Sequence, residues 1–303
     1  MQKFTDKFTT AKGETRAWVE LNKLKTLWFN TGTRCNLSCD NCYIESSPTN
    51  DRLSYISANE VQSYFSEKTF HDVELVGFTG GEPFLNPEII EILKATLNAQ
   101  KEVLVLTNAY RVLKRHWSQL LELKDTYKDK LSIRVSLDHF TREIHEQERG
   151  ENTFAPTLRT IKELVDSGFN VSIAGRALAQ DSIEQVKVSY QELLSSNDIS
   201  IDMTKKLVVF PEMIAGEDVP EITTDCWGIL NKTPEMQMCS SERMIVKRKG
   251  DDSPVVLACT LLAYDKEFEL GKKLDTAQKK VYLNHEFCAK FCVLGGSSCS
   301  STY

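Results

Sequence analysis

The sequence predicts an α/β fold with a parallel sheet, followed by a small cysteine-rich segment. Six short, nearly continuous apolar runs recur between residues 26 and 210, as expected of strands that are buried on both faces. Stretches with helical periodicity separate these runs, which is the arrangement of repeated βα units. Five of the nine cysteines lie after residue 238, where this alternation has ended.

The predicted strands and helices alternate along the chain. Ser57 and Glu60 form a capping box before the first helix, Pro87 suits a first helical turn, and Gly168 suits a helix end. Periodicity alone leaves open whether the sheet stays open or curls into a partial barrel. The strands are expected at residues 26–31, 73–78, 103–107, 133–137, 171–174 and 207–210, and the helices at residues 58–68, 87–99, 110–123, 154–167 and 183–195.

The pattern changes after residue 211. The next 27 residues are loop-like and contain several Gly and Pro residues. A hairpin is predicted from residues 244–247 and 255–262, which a Lys-Gly-Asp-Asp turn separates. We therefore expect four parts: an N-terminal extension (1–24), an α/β domain (25–211), a linker (212–238) and a cysteine-rich hairpin-plus-helix domain (239–303).

Composition is that of an ordinary globular protein. Hydrophobic residues make up 41% and charged residues 26%, which excludes wholesale disorder. The net charge of −6 argues against a nucleic-acid partner, because phosphate binding needs clustered cations. The first residues lack the apolar core of a signal peptide, and the best apolar run, residues 255–264, is too short to span a bilayer. We therefore expect a cytoplasmic protein without membrane attachment.

The first chemical motif is a group of three cysteines. Nine cysteines, an odd number, suit a disulfide framework poorly, and clustered cysteines in a reducing compartment indicate metal binding or catalysis. Cys35, Cys39 and Cys42 follow the first predicted strand, at the end where α/β folds place active sites. Three thiolates leave one position of a metal centre open. A zinc site completed by a ligand from elsewhere is the alternative.

The second motif follows the second predicted strand. Gly80 and Gly81 remove side chains, so that a ligand can lie against the backbone, and Pro83 ends the motif. Glu82 offers a carboxylate to an ammonium group. The alternative is a glycine turn with a surface glutamate, because short glycine motifs are common.

Together these two motifs resemble the radical S-adenosylmethionine (radical SAM) superfamily, over about residues 25–211. The resemblance implies a partial (β/α)6 TIM-type barrel. It also implies that Cys35, Cys39 and Cys42 hold a [4Fe–4S] cluster, whose open iron binds S-adenosylmethionine, and that residues 80–83 receive its amino group. In this family the reduced cluster cleaves S-adenosylmethionine to a 5′-deoxyadenosyl radical, which abstracts hydrogen from a substrate.

Further residues resemble the parts of this family that contact S-adenosylmethionine. Ser136 and Asp138 alternate along a strand end, so both face one side, and they resemble a segment that touches the ribose or the methionyl carboxylate. Arg149 resembles an arginine that pairs with that carboxylate, with a solvated helix charge as the alternative. Asn108 and Arg176 are pocket candidates, and an ion pair with a helix is the alternative for Arg176.

One position departs from the family pattern. Many members carry an aromatic residue just before the third cysteine, packed near the adenine, but this chain has Asn41 there. Tyr43 or Phe210 is expected to take the place of that aromatic residue.

The C-terminal segment resembles the auxiliary-cluster domain called twitch, a relative of the SPASM domain. The resemblance implies a second [4Fe–4S] cluster held by cysteines that flank the hairpin and by others from a later helix. A zinc site is the alternative, Cys299 could replace Cys288, and Cys226 is a loop or core cysteine that could also be a ligand. The candidate ligands are Cys239, Cys259, Cys288, Cys292 and Cys299.

The resemblance implies a radical SAM enzyme, an oxidoreductase or a catalyst of related radical chemistry. About 25 residues precede the first strand, too few for a separate leader-peptide-binding domain, so we expect a small-molecule substrate and net oxidation or rearrangement assisted by the auxiliary cluster. The alternatives are a peptide- or protein-modifying maturase of the same superfamily and a non-catalytic iron–sulfur electron-transfer protein. An electron donor such as flavodoxin or ferredoxin is the expected protein partner.

Overall fold

A nine-stranded sheet forms the centre of the fold in a computed structural model, which describes residues 2–178, 181–211 and 218–296. The strands are β1 (Trp18–Val19), β2 (Thr26–Asn30), β3 (Leu75–Thr79), β4 (Glu102–Thr107), β5 (Leu131–Ser136), β6 (Asn170–Ala177), β7 (Leu207–Pro211), β8 (Glu242–Val246), β9 (Val255–Leu257), β10 (Glu269–Gly271) and β11 (Val281–Tyr282). The helices are α1 (Ala58–Ser63), α2 (Ile89–Asn98), α3 (Trp117–Tyr127), α4 (Arg142–Arg149), α5 (Phe154–Asp166), α6 (Ile183–Ser196), α7 (Met203–Lys206) and α8 (Cys226–Ile229), with a π-helix at Cys288–Leu294.

The strands β2 to β7 lie side by side in chain order, and all their pairings are parallel. Each predicted strand is present, with ends within three residues of the prediction. One residue or more from every one of these six strands lines a single cavity, so the sheet curls around it. The predicted α/β fold with a partial (β/α)6 barrel is confirmed. The strand residues on the cavity wall include Trp28, Thr79, Leu106, Ser136, Ala174 and Phe210.

The predicted hairpin is also present, and it extends the same sheet. β8 pairs in parallel with β2, and β9 and β10 continue the sheet in antiparallel pairings. The indole N–H of Trp28 in β2 donates to the carboxylate of Glu242 in β8 at 2.7 Å. The C-terminal segment is therefore continuous with the barrel sheet, while the domain boundaries stay a prediction. A separate two-stranded sheet joins β1 to β11.

Successive residues of β2 face two different apolar layers. Leu27 and Phe29 belong to the large cluster under the helices, whereas Trp28 packs with Met244 and Leu257 on the other face. This alternation explains why β2 is a continuous apolar run, since both of its faces are buried. Among the described residues, no helix combines the length and apolarity needed to cross a membrane.

The helices differ from prediction in two regions. The helix predicted at 110–123 starts later in the structure, with α3 at Trp117. Ala109 and Arg111 have positive φ angles of 53° and 68°, outside the right-handed helical region, so no α-helix can include them. Helix α4 was not predicted, because its sequence is polar and His145 is its one buried residue. The predicted helix at 58–68 is confirmed in its first half as α1 and continues as 3-10 turns.

We predict that Gly77→Ala destabilises the fold by about 1–3 kcal/mol, the usual cost of overpacking a core. A Cβ at Gly77 would lie 2.2 Å from the ring of Trp28, which is fully buried, so the ring or the backbone would have to shift. Urea unfolding would measure the change. Gly228→Ala is the matched control: its added methyl meets no atom within 4 Å, so the change should stay within about 0.5 kcal/mol. A Gly77→Ala protein as stable as the parent would contradict the packing described here.

Candidate active site

The three cysteines of the first motif line one cavity at the carboxyl ends of the barrel strands, which we call the first cavity. Main-chain N–H groups approach two of the sulfurs: Leu37 N–H donates to Cys35 Sγ at 3.4 Å, and Ser46 N–H donates to Cys42 Sγ at 3.3 Å. Burial raises the pKa of Cys35 to about 12 and also raises that of Cys39. The thiols of Cys35 and Cys39 are therefore neutral unless a cation binds, and the N–H donors at Cys35 and Cys42 are placed to stabilise thiolates.

The glycine strip, residues 80–83, lies in main-chain contact with the cysteine loop, residues 31–47. Gly81 N–H donates to Gly32 O at 2.8 Å, and the N–H of Glu82 donates to Arg34 O at 3.0 Å. A Cβ at Gly81 would come within 2.1 Å of Arg34 O, and Gly80 has a φ of +144°, which side chains disfavour. Both glycines are thus required by the approach of the cysteine loop, and both line the first cavity.

Glu82 is buried, and its carboxylate joins the strip to the end of β4. It accepts hydrogen bonds from the hydroxyl of Thr107 at 2.9 and 3.0 Å, from Asn108 N–H at 2.9 Å and from Phe84 N–H at 3.2 Å. Burial raises the pKa of Glu82 to about 7, although these hydrogen bonds oppose the shift. Pro83 starts a 3-10 turn behind the strip.

Asp138 lies between two guanidinium groups on the cavity wall. Arg149 Nε is 2.7 Å from Asp138 Oδ2, and Arg176 Nε is 3.4 Å from Oδ1. Burial alone would raise the pKa of Asp138, but the charges of the two arginines outweigh it and lower the pKa. Arg149 is therefore part of a buried ion pair rather than a solvated surface charge. Of these three side chains, the two guanidiniums outnumber the one carboxylate, while the carboxylate of Glu82 also interacts with Arg149.

Helix α4 holds the cysteine loop in place. Asn41 Nδ2 donates to both carboxylate oxygens of Glu148, at 2.8 and 3.0 Å, and Asp40 N–H donates to Glu148 O at 3.0 Å. Arg176 Nη2 donates to Asn41 O at 2.7 Å. Asn41, which departs from the family pattern, thus connects the loop to two other elements. Glu148 was missed in the sequence because α4 itself was not predicted.

Asn108 also braces the cysteine loop. Its Nδ2 donates to Asn36 Oδ1 at 2.9 Å and lies 3.5 Å from Cys35 Sγ, while Asn36 Nδ2 donates to Tyr110 O at 2.7 Å. Asn108 and Ser136 both line the first cavity.

An aromatic group closes one side of the first cavity. The rings of Phe210 and Phe291 stack with centroids 5.5 Å apart, and Tyr43 meets Phe291 edge-on at 6.0 Å. The guanidinium of Arg176 lies 5.3 Å from the centre of the Tyr43 ring. Tyr43 and Phe210 were expected here. Phe291 was missed, because nothing in the sequence indicates that the π-helix reaches the barrel.

Four cysteines of the C-terminal half line a second cavity. Its other walls are mainly apolar and include Phe268, Leu283 and Phe287. Burial raises the pKa of Cys239 to about 11 and that of Cys259 to about 12, and it also raises the pKa of Cys288 well above its usual range. Cys226 is elsewhere, in α8, where its sulfur accepts a hydrogen bond from Thr223 N–H. Cys299 lies outside the described residues. The four thiols that meet at this cavity are Cys239, Cys259, Cys288 and Cys292.

The two cavities share chain segments. Thr260 and Leu261, which directly follow Cys259, line the first cavity. Phe291 also lines it and lies in the π-helix, between Cys288 and Cys292. Residues 259–261 and 288–292 therefore contribute to the walls of both cavities.

Comparison with known families identifies the fold and its chemistry. The family model described as Radical SAM superfamily matches residues 29–186, just over half of the chain. The chain belongs to the radical SAM superfamily. It is accordingly an enzyme, and its cofactors are a [4Fe–4S] cluster and S-adenosylmethionine.

Three proteins illustrate the similarity. The chain is 38% identical over 147 residues to the antilisterial bacteriocin subtilosin biosynthesis protein AlbA of Bacillus subtilis, covering 48% of this chain and 32% of AlbA. It is 26% identical over 156 residues to the GTP 3′,8-cyclase of Actinobacillus succinogenes, covering 50% of this chain and 44% of that protein. The matched region is thus less than half of either relative.

The third protein is a structural neighbour. A crystal structure of Streptococcus suis SuiB bound to precursor peptide SuiA superposes with a TM-score of 0.59 at 14% identity, covering 86% of this chain and 66% of SuiB. The radical SAM chain and SuiB therefore share a fold.

The first cavity fits the radical SAM cofactors on its own chemistry. Three thiols, two of which have main-chain N–H donors at the sulfur, suit a cluster, in which cysteine thiolates are the usual ligands. The two guanidiniums beside Asp138 suit the carboxylate of S-adenosylmethionine. Within residues 2–178, 181–211 and 218–296, neither these thiols nor any other group of three or more His, Cys, Asp or Glu side chains already stands in a metal-holding arrangement, so the fit rests on the type of ligand and on its place at the cavity.

We predict that Glu82 makes the cluster-free protein less stable as the pH rises. The pKa of Glu82 is about 7 in the folded state, whereas its ordinary value is 4.5. Between these two pH values the folded state keeps a proton on Glu82 that the unfolded state has lost. The free energy of unfolding should therefore fall by about 3 kcal/mol from this residue as the pH rises through that window. Glu82→Gln should remove this part of the pH dependence, measured by urea unfolding at several pH values.

The exposed Glu91→Gln is the control for this prediction and should keep the pH dependence of the parent. If Glu82→Gln also kept the full pH dependence of the free energy of unfolding, the burial of Glu82 would not be the source of that dependence.

Proposed function

We propose that this radical SAM enzyme modifies a peptide or a protein side chain, and that it uses a second iron–sulfur cluster to do so. The observation that carries the proposal is the 38% identity to AlbA, a protein named for the biosynthesis of a bacteriocin. The shared fold with SuiB, a protein captured with its precursor peptide, supports the same substrate class. This proposal replaces the small-molecule substrate expected from the sequence.

We assign the first cluster to Cys35, Cys39 and Cys42. When bound, it supplies the electron that cleaves S-adenosylmethionine and so yields the 5′-deoxyadenosyl radical that takes hydrogen from the substrate. The protein holds the cluster and the bound S-adenosylmethionine in one fixed orientation. The main-chain contacts of Gly81 and the side-chain contacts of Asn41 fix the cysteine loop against the barrel for this purpose.

The remaining wall residues are assigned to S-adenosylmethionine. We place its amino group at residues 80–83, with the Glu82 carboxylate behind the strip. The guanidiniums of Arg149 and Arg176, which both pair with Asp138, attract the methionyl carboxylate. Ser136 and Asn108 contribute polar contacts, and the aromatic group of Tyr43, Phe210 and Phe291 receives the adenine.

We assign the second cluster to the four thiols of the second cavity. If bound there, a cluster ligated by all four thiolates would leave no iron open for a substrate and would supply an acceptor for the electron left after hydrogen abstraction. The domain division is proposed on the same basis, with the barrel at 25–211, a linker at 212–238 and the auxiliary segment at 239–303. A cytoplasmic flavodoxin or ferredoxin is the proposed source of the reducing electron.

A small-molecule substrate is the second candidate. The chain also matches a GTP 3′,8-cyclase over half of its length, at 26% identity. GTP is therefore the comparison substrate in the experiments below.

We predict that anaerobically reconstituted protein with dithionite and S-adenosylmethionine forms 5′-deoxyadenosine and methionine. Replacing Cys35, Cys39 and Cys42 together by Ala should abolish both products and remove about half of the iron, since the second cluster has its own ligands. Chromatography of products and iron analysis measure these outcomes. Cys226→Ala, a cysteine outside both cavities, should keep product formation and iron at parent levels. Intact clusters without either product would instead favour an electron-relay protein.

We predict that a short peptide encoded beside the gene for this chain binds with micromolar affinity and accelerates 5′-deoxyadenosine formation. The peptide should also change in mass when S-adenosylmethionine is present, as mass spectrometry would show. GTP at the same concentration should leave the rate unchanged. Acceleration by GTP, with no effect of any such peptide, would favour the small-molecule candidate.

A further inference from the structure

Arg243 is a fully buried cation without a carboxylate partner among the described residues. It lies in β8 and is 1% exposed. Its Nη1 donates to Cys239 O at 2.6 Å and to Glu242 O at 2.7 Å, and its Nε donates to Ala277 O at 3.1 Å. All three acceptors are main-chain carbonyls. The remaining nitrogen, Nη2, is buried and has no hydrogen-bond partner in the described part of the chain.

The carboxylate next to Arg243 in the chain does not neutralise it. Glu242 and Arg243 are successive residues of one strand, so their side chains leave opposite faces of the sheet. The carboxylate of Glu242 accepts a hydrogen bond from Trp28 on the inner face. Arg243 instead faces the layer that contains Cys239, Cys259 and the second cavity.

A buried charge without a counter-charge is expensive, because it loses its hydration and gains no ion pair. The ionisable group that interacts with Arg243 is Cys239, whose thiolate the guanidinium stabilises. The three carbonyl dipoles stabilise part of the positive charge of Arg243, but they carry no negative charge that would neutralise it. A set of four thiolates around iron carries net negative charge and would supply the missing balance.

We propose that Arg243 is the counter-charge of the second cluster and raises its reduction potential. The inference rests on the proposed ligation of that cluster by the four thiols. When the cluster gains one electron, its negative charge increases, and a fixed cation beside Cys239 stabilises that reduced form more than the oxidised form. Arg243 keeps its proton throughout, so the reduction moves one electron and no proton. Arg243 is a positioning residue in this scheme, because its positive charge acts on the cluster through the ligand Cys239.

The test uses the full-length chain with Cys35, Cys39 and Cys42 replaced by Ala, so that iron remains only at the second site. Dithionite supplies the electron, and electron paramagnetic resonance follows the reduced cluster during a redox titration. Arg243→Gln should shift the midpoint potential downward, since Gln can still donate to a carbonyl but carries no charge. Arg243→Lys should leave the potential near that of the parent.

Arg248→Gln is the matched control. Arg248 follows the same strand, but its guanidinium already pairs with Glu269 at 2.8 Å, so removing it should not shift the potential. An unchanged potential in Arg243→Gln with iron retained would overturn the inference, and so would equal shifts in the Lys and Gln variants.

Two outcomes separate this inference from the proposed function. A parent Cys35/Cys39/Cys42→Ala protein that holds no iron would refute the second cluster itself, whereas iron without a charge-dependent potential would refute only the role of Arg243. If Arg243→Gln does not fold, Arg243→Lys decides: it should retain the parent's iron and potential, and loss of the cluster from this variant would overturn the proposal.

Discussion

The main-chain contact between the glycine strip and the cysteine loop is the constraint on which the candidate site depends. The carbonyl of Arg34 comes so close to Gly81 that no side chain fits between them. This contact sets how far the three thiols stand from the ends of β3 and β4, and it brings Glu82 beneath them. The glycines are thus needed first for the protein's own packing. The backbone surface that they leave open toward the first cavity is a consequence of that packing.

Charge balance organises the opposite wall. Asp138 pairs with both Arg149 and Arg176, and Arg176 also donates to the cysteine loop and lies over the ring of Tyr43. A carboxylate, two cations and a loop are therefore coupled in one buried network, in which each member limits where the others can lie. Removing the carboxylate would leave two buried cations unpaired, a cost that buried ion pairs commonly show as several kcal/mol.

The sequence predicts the parallel strands well, for a physical reason: strands buried on both faces, such as β2, must be continuously apolar. The role of Cys35, Cys39 and Cys42 as ligands stays a prediction, and the structure places all three at one cavity. Helix α4 escaped prediction because it is polar and fixed by Glu148 and Arg149 rather than by an apolar stripe. Phe291 escaped because its place on the cavity wall depends on long-range packing of the π-helix against Phe210, which no local pattern encodes.

The π-helix links the lining of the first cavity to the state of the second. Phe291 lines the first cavity from a turn whose flanking thiols, Cys288 and Cys292, are proposed to be metal ligands. A chain that acquired only its first cluster would hold this turn less firmly. Iron supply at one site would therefore affect the shape of the other.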